Sequence, residues 1–286
     1  MSSATAQTAN SKHPCFYAGA RGKYGRIHLP VAPSCNIQCA YCRRDHDCPN
    51  ESRPGITSRV MSPEEAADHF RRALEAMPHL SVAAIAGPGD AFCDAEPTLR
   101  TFELVRRKNS DIALCVSTNG LNVKAYIPQL RDLNVGFVTI TVNAIDPGIG
   151  ARLYSWVRAD ERVVRGVDAA RLLIFRQLEA IALLKDAGIT VKVNSVVVPG
   201  INQDHLVFLA KKMGTLGVDL MNFIPLIPLA GTELQHIPAP GEDKIRALRQ
   251  SASPHVLQMH HCTRCRSDAA GFLDALGTPA YREEED

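Results

Sequence analysis

The sequence predicts an α/β fold: a partial, TIM-like barrel of six strand–helix units, (βα)6, rather than the closed eight-fold form. Three observations lead there. Short apolar, β-branched runs alternate with stretches of helical length, the pattern of a parallel sheet with crossover helices. Six such runs can be counted, two fewer than a closed (βα)8 barrel needs. One helix start is spelled out by Ser62-Pro63-Glu64-Glu65, a capping box with proline at the first helical position.

In chain order, residues 13–26 carry His13-Pro14-Cys15 and a glycine-rich basic loop, and 27–32 alternate as a first strand. The helix from Pro63 places Phe70, Leu74 and Met77 on one face. Strands are then expected at 80–86, 112–117, 135–142, 189–198 and 218–224, with helices at about 96–108, 122–133, 171–187, 203–214 and 240–250. Residues 143–170 break this rhythm. A connection of that length is usually functional, and it holds the only tryptophan, Trp156, beside Tyr154 and Arg158. A lid over the barrel mouth is expected there, with a mobile surface excursion as the plainer reading. Residues 1–12 read as a disordered tail, 13–272 as the domain and 273–286 as a flexible C-terminus.

Composition narrows the function. A net charge of +2 with no long basic run implies no nucleic-acid partner. No apolar run approaches the length of a membrane span. The nine cysteines accompany no secretory pattern, which points away from a disulfide framework and toward a cytoplasmic, metal-binding role.

Cys35, Cys39 and Cys42 fall within eight residues. Three thiolates can grip three irons of a cubane cluster and leave the fourth iron free for a small molecule. Zinc prefers paired spacings with four ligands, which this stretch lacks. With Tyr41 before the last cysteine and an apolar run before the first, the stretch resembles the signature of the radical S-adenosylmethionine (SAM) enzymes. Function in parallel barrels gathers at the C-terminal strand ends. Those ends supply Gly87, Gly89 and Asp90, Thr118 and Asn119, Asn143, Asn194 and Ser195, and Asn222 and Ile224 as candidate SAM contacts. Singly each is ordinary turn chemistry; the joint placement carries the reading.

Five more cysteines exceed the needs of one cluster: Cys15, Cys48, Cys115, Cys262 and Cys265. Cys115 alone sits in a strong apolar run, where a plain packed thiol is the alternative to ligation. The Cys262-Thr263-Arg264-Cys265 pair lacks the strand–helix setting of a redox motif, so ligation is the better reading. Cys93 has no partner pattern and is given no role. His28 reads first as a core histidine, with an iron-ligand role also open.

Here the likeness becomes specific. His13-Pro14-Cys15, Arg26 through Cys42, Asn50-Glu51-Ser52-Arg53-Pro54-Gly55, Ala86 to Asp90, Ser117 to Gly120, Val142 to Pro147, Tyr154 to Arg158 and Cys262 to Ala269 resemble the NifB family of radical SAM maturases of the nitrogenase cofactor. The resemblance is to the shorter form, without a second, NifX-like domain. It implies fusion of two 4Fe–4S clusters into an eight-iron core, with a carbide drawn from one SAM methyl group and a second SAM cleaved to a 5′-deoxyadenosyl radical. It implies a SAM-binding 4Fe–4S cluster on Cys35, Cys39 and Cys42. It further implies one substrate cluster near Cys15, His28 and Cys115, and another near Cys48, Cys262 and Cys265. Beside Cys48, Glu51 is expected to assist proton removal and Arg53 to offset cluster charge. Implied partners are iron–sulfur donor proteins, a ferredoxin or flavodoxin reductant, and a cofactor carrier or scaffold of the NifX or NifEN type. Two other readings stay open: a different radical SAM maturase with auxiliary clusters, and a non-catalytic iron–sulfur scaffold. SAM cleavage under dithionite separates the scaffold from both enzymes.

Overall fold

A computed structural model describes residues 12–273. The expected terminal tails lie outside the described residues, except for Lys12 and Leu273. The Lys12 carbonyl accepts a hydrogen bond from Ser81 (2.8 Å), and Leu273 is buried.

In chain order the strands are β1 (Gly25–His28), β2 (Ile37–Cys39), β3 (Leu80–Ile85), β4 (Ala113–Thr118), β5 (Val135–Thr141), β6 (Tyr154–Ala159), β7 (Arg162–Val164), β8 (Thr190–Val197), β9 (Leu220–Pro225) and β10 (Ala270–Phe272). The helices are α1 (Pro63–Ala76), α2 (Glu96–Lys108), α3 (Ile127–Asp132), α4 (Pro147–Gly150), α5 (Gly166–Asp186), α6 (Leu206–Thr215) and α7 (Glu242–Ala252).

Strands β1, β3, β4, β5, β8 and β9 pair in parallel in that spatial order, so the expected six-stranded half-barrel is present. A seventh strand, β10, runs antiparallel on the outer edge of β1, with Ile27 opposite Ala270. Its three residues are too short to show a period, which is why the sequence does not announce it. On the far edge, Met221 exchanges main-chain hydrogen bonds of 2.8 Å with Leu257 and Met259, so both sheet edges carry a partner.

Alternation along each strand sorts the side chains. Ile27, Ala83, Leu114, Val138, Val191 and Val193 pack toward the helices, with Phe70, Phe102 and Leu209. The other set includes Arg26, His28, Cys115, Ser117, Lys192 and Asn194, and it turns into the barrel. The site is therefore made by the polar half of the same strands whose apolar half makes the core.

The capping box at α1 forms as read: Ser62 Oγ accepts from the Glu65 N–H (3.2 Å) and Glu65 accepts from the Ser62 N–H (2.8 Å), worth about 1 kcal/mol. The helix expected at 122–133 is split into a 3-10 turn at Val123–Tyr126 followed by α3. Pro128, which has no N–H to donate, sits in the first turn of the second piece. The expected lid is instead a hairpin of β6 and β7 added to the cysteine loop. Ile37 lies opposite Val157 and Gln38 opposite Trp156. Tyr154 and Val157 are buried, so this segment has a packed face of its own. Half-buried Trp156 lies between the guanidinium groups of Arg44 and Arg158, 5.9 and 5.5 Å from its ring. Among the described residues no helix is long and apolar enough to cross a membrane.

Candidate functional site

Two neighbouring cavities gather the sequence-predicted residues. The first is lined by Cys35, Cys39 and Cys42, with Cys48 on the same wall. Strand β2 delivers Cys39, and Gln38 Nε2 pins the turn by donating to the Cys39 and Cys42 carbonyls (3.0 and 2.8 Å). Behind it, the Tyr41 hydroxyl donates to Asn50 Oδ1 and accepts from Asn143 Nδ2, both at 2.7 Å. Asn50 Nδ2 faces the sulfurs of Cys39 (3.8 Å) and Cys48 (3.5 Å), and Asn119 Nδ2 faces Cys35 Sγ (3.7 Å). Burial pushes the thiols up, Cys39 to about 12 and Cys42 to about 11, with Cys35 and Cys48 also raised. Such thiols stay protonated at neutral pH unless a cation takes the proton's place, which is what iron does.

Four candidate SAM contacts line this cavity: Gly89, Asp90, Thr118 and Asn119. Gly89 has a steric reason: a Cβ there would lie 2.1 Å from the Ser34 carbonyl oxygen. Asp90 accepts from Thr118 Oγ1 (3.0 Å) and the Phe92 N–H (3.0 Å), which fixes the strand ends to each other. Asn194, Asn222 and Ile224 line the second cavity instead. Asn143 and Ser195 are turned to the fold, Asn143 Oδ1 accepting from the Val196 N–H (2.8 Å) and Ser195 Oγ donating to the Val142 carbonyl. Gly87 lies in the turn after β3 at φ 118°, against Ser267.

The second cavity lies inside the barrel. Cys15, His28, Cys115, Cys262 and Cys265 all line it, so both sets of expected substrate-cluster residues share one space, apart from Cys48. His28 Nδ1 is 3.0 Å from the Arg266 carbonyl, an N–H donor position that leaves Nε2 as the free lone pair. Burial, then Arg26, lowers His28 to about 4, so the ring is neutral, the form that binds metal. Burial pushes Cys15 to about 11 and Cys115 to about 12. Among the described residues no three His, Cys, Asp or Glu side chains converge tightly enough for a single metal ion. A cubane cluster takes one protein ligand per iron and spreads its ligands wider.

Glu51 lines both cavities. Its oxygens accept from Thr141 Oγ1 (3.1 Å) and Asn194 Nδ2 (3.0 Å), and burial raises its carboxyl to about 7. Arg53 is placed otherwise: its side chain is exposed, and only its main-chain N–H takes part, donating to the Cys265 carbonyl (3.0 Å).

Four basic side chains missing from the predicted set stand in the second cavity: His13, Arg26, Lys192 and Arg264. Arg26 is almost fully buried, donates to the Gly271 and Phe272 carbonyls (2.6 and 2.8 Å), and presents Nη2 to Cys265 Sγ at 2.8 Å. Lys192 lies in the barrel with its ammonium 5.0 Å from the Phe16 ring. The signal was available: Arg26 and His28, like Lys192 and Asn194, are polar residues two apart in apolar strands, and so share a face.

A family model described as Radical SAM superfamily matches residues 29–213, well over half the chain. The chain belongs to the radical SAM superfamily. Radical SAM proteins bind a 4Fe–4S cluster and SAM, and the three-thiol cavity fits that pair by its donor chemistry. Among relatives, the chain is 46% identical to the FeMo cofactor biosynthesis protein NifB of Chlorobaculum tepidum over 95% of its own length. It is 42% identical to that of Klebsiella pneumoniae over 91%. It spans 64% and 57% of those proteins. Two solved radical SAM-like folds superpose at low identity: Streptococcus suis SuiB bound to S-adenosylmethionine (TM-score 0.58, 13% identity, 82% of this chain and 50% of that one) and methylornithine synthase PylB (0.56, 15%, 89% and 75%). These last two support the fold alone.

Proposed function

We propose that this radical SAM protein acts in nitrogenase cofactor biosynthesis, fusing two 4Fe–4S clusters into an eight-iron, carbide-containing precursor. The observation that carries this reading is the second cavity: four thiols and two imidazoles, of His13 and His28, inside the barrel, joined to the three-thiol cavity through Glu51. Cys35, Cys39 and Cys42 would hold the resident cluster, and Gly89, Asp90, Thr118 and Asn119 the SAM beside it. When bound, that cluster supplies the electron that cleaves SAM. The chain's own contribution is then positional and protonic. His28, Cys15, Cys115, Cys262 and Cys265 receive the substrate clusters in mixed ligation, where an imidazole is released more readily than a thiolate. Glu51, poised near neutrality between the cavities, is suited to take a proton as a methyl group is stripped. Arg26 and Lys192 offset the negative charge that thiolate-ligated clusters bring into a buried space.

Carbide insertion, the two substrate clusters, and donor, reductant and acceptor proteins belong to this proposal. Its test is an iron count on anaerobically reconstituted protein together with SAM cleavage under dithionite. About twelve irons per chain fit three cubane clusters, and 5′-deoxyadenosine should form. About four irons with cleavage would point to a single-cluster radical SAM enzyme instead.

A further inference from the structure

The second cavity adjoins an outer groove of about 520 Å3 between β9 and α7. The two share Asn222, Ile224, Cys262 and Arg264, so one thiol, Cys262, borders both the enclosed space and the open one. Cations outnumber acids on the groove walls, with Arg246, Arg249 and Arg264 against Glu242. Arg246 is exposed and paired with Asp243 at 3.1 Å, a surface contact of little weight.

The other two arginines differ. Arg249 donates Nη2 to the Phe223 carbonyl (3.1 Å), and its buried Nε has no partner. Arg264 donates Nη1 to the Pro225 carbonyl and Nη2 to the Pro49 carbonyl, both at 2.9 Å. Its backbone is held at φ 54°, a conformation uncommon outside glycine. Carbonyl partners orient a guanidinium without neutralising it. Two partly buried cations therefore stand at Cys262 with no carboxylate partner among the described residues, and a charge kept in that state favours an anionic ligand.

We propose that this groove is the portal for a thiolate-ligated iron–sulfur cluster, an anion, and that Cys262 is the thiol that takes the cluster over from its donor. The proposal rests on the reading that clusters are the cargo of the inner cavity. In the exchange, the Cys262 thiol loses its proton and its sulfur bonds to one iron. The bond from that iron to the donor thiolate breaks, and the departing thiolate takes the proton. No electron changes hands. Arg249 and Arg264 draw the anion in and hold it during the exchange.

The first arm of the test needs no cluster. The full chain, prepared free of iron, is treated with a dianionic aromatic disulfide or with a neutral dipyridyl disulfide, and modified cysteines are mapped by mass spectrometry. The dianionic reagent should favour Cys262 over Cys15 more strongly than the neutral one does, and added salt should erase that preference. Equal selectivity of both reagents at every salt concentration overturns the portal. The second arm follows loading from a synthetic dianionic cubane cluster with mercaptoethanolate ligands. Arg249→Gln should slow filling beyond the first four or so irons by about tenfold, and Arg249→Lys should restore it, with the final iron count unchanged. Wild-type iron that stays near about four removes the functional reading itself. Iron near about twelve, filled equally fast in Arg249→Gln, removes the portal alone. If Arg249→Gln does not fold, by circular dichroism, the wild-type reagent arm decides. Repeating the loading from a cluster-bearing scaffold protein distinguishes the source. Slowing there supports hand-over from a carrier, and slowing with the small complex alone supports entry of a released cluster.

Discussion

Glu51 shows how much one side chain's setting can decide. Its carboxyl ordinarily titrates near 4.5 and is held at about 7, chiefly by burial. Because the folded value is the raised one, the stabilisation from its proton is complete below 4.5 and is lost as pH climbs through 7. Glu51→Gln, a neutral shape-mimic, should therefore match the wild type near pH 4 and become the more stable of the two at pH 8, by up to about 3 kcal/mol. Melting temperatures of the cluster-free proteins at the two pH values check this. A stability difference that ignores pH would mean that Glu51 is solvated and ionised throughout. The sequence marked Glu51 only through its family motif and its nearness to Cys48; the burial came from strands β5 and β8, which no local pattern reveals. Arg53, chosen on the same ground, has its side chain outside both cavities. Adjacency in sequence put the two residues together, and the turn separated them.

At the scale of elements, the cysteine loop depends on neighbours that press on it. Gly89 lies against the Ser34 carbonyl so closely that an added methyl would fall 2.1 Å from that oxygen, and backbone cannot yield as a side-chain tip would. Gly89→Ala should displace the loop carrying Cys35, weakening SAM binding measured by calorimetry and lowering stability by about 1–3 kcal/mol. Gly19→Ala, which meets nothing within 4 Å, should leave SAM affinity where it was. Equal affinities in both variants would show that the loop tolerates the shift. The six parallel strands were legible because each is a β-branched run bounded by turn residues. Strands β2 and β10 were not, since three residues show no period, and their pairing is decided by distant partners. Residues 143–170 were read as a loop for the same reason: the alternation in β6 and β7 is only a few residues long.

For the whole molecule, the informative measurement separates the two cavities. Cys262→Ser and Cys265→Ser together should lower the iron content while leaving SAM cleavage and the resident cluster's paramagnetic signal intact, because serine is a harder, weaker ligand for such iron than thiolate. Unchanged iron would make this pair structural. Spacing alone made Cys35, Cys39 and Cys42 readable as a unit, whereas Cys15, Cys115 and Cys265 meet only because the barrel brings an N-terminal segment, a mid-sheet strand and a returning tail to one interior. That return has a consequence in time. Arg26 reaches the Gly271 carbonyl across 245 residues, Ser52 meets Ser267, and the Arg53 N–H meets the Cys265 carbonyl. A chain emerging from the ribosome can finish the three-thiol loop and the middle strands while this clasp is still missing. The inner chamber has no far wall until nearly the last described residue has been made, so the two cavities are completed in sequence, the three-thiol cavity first and the barrel interior last.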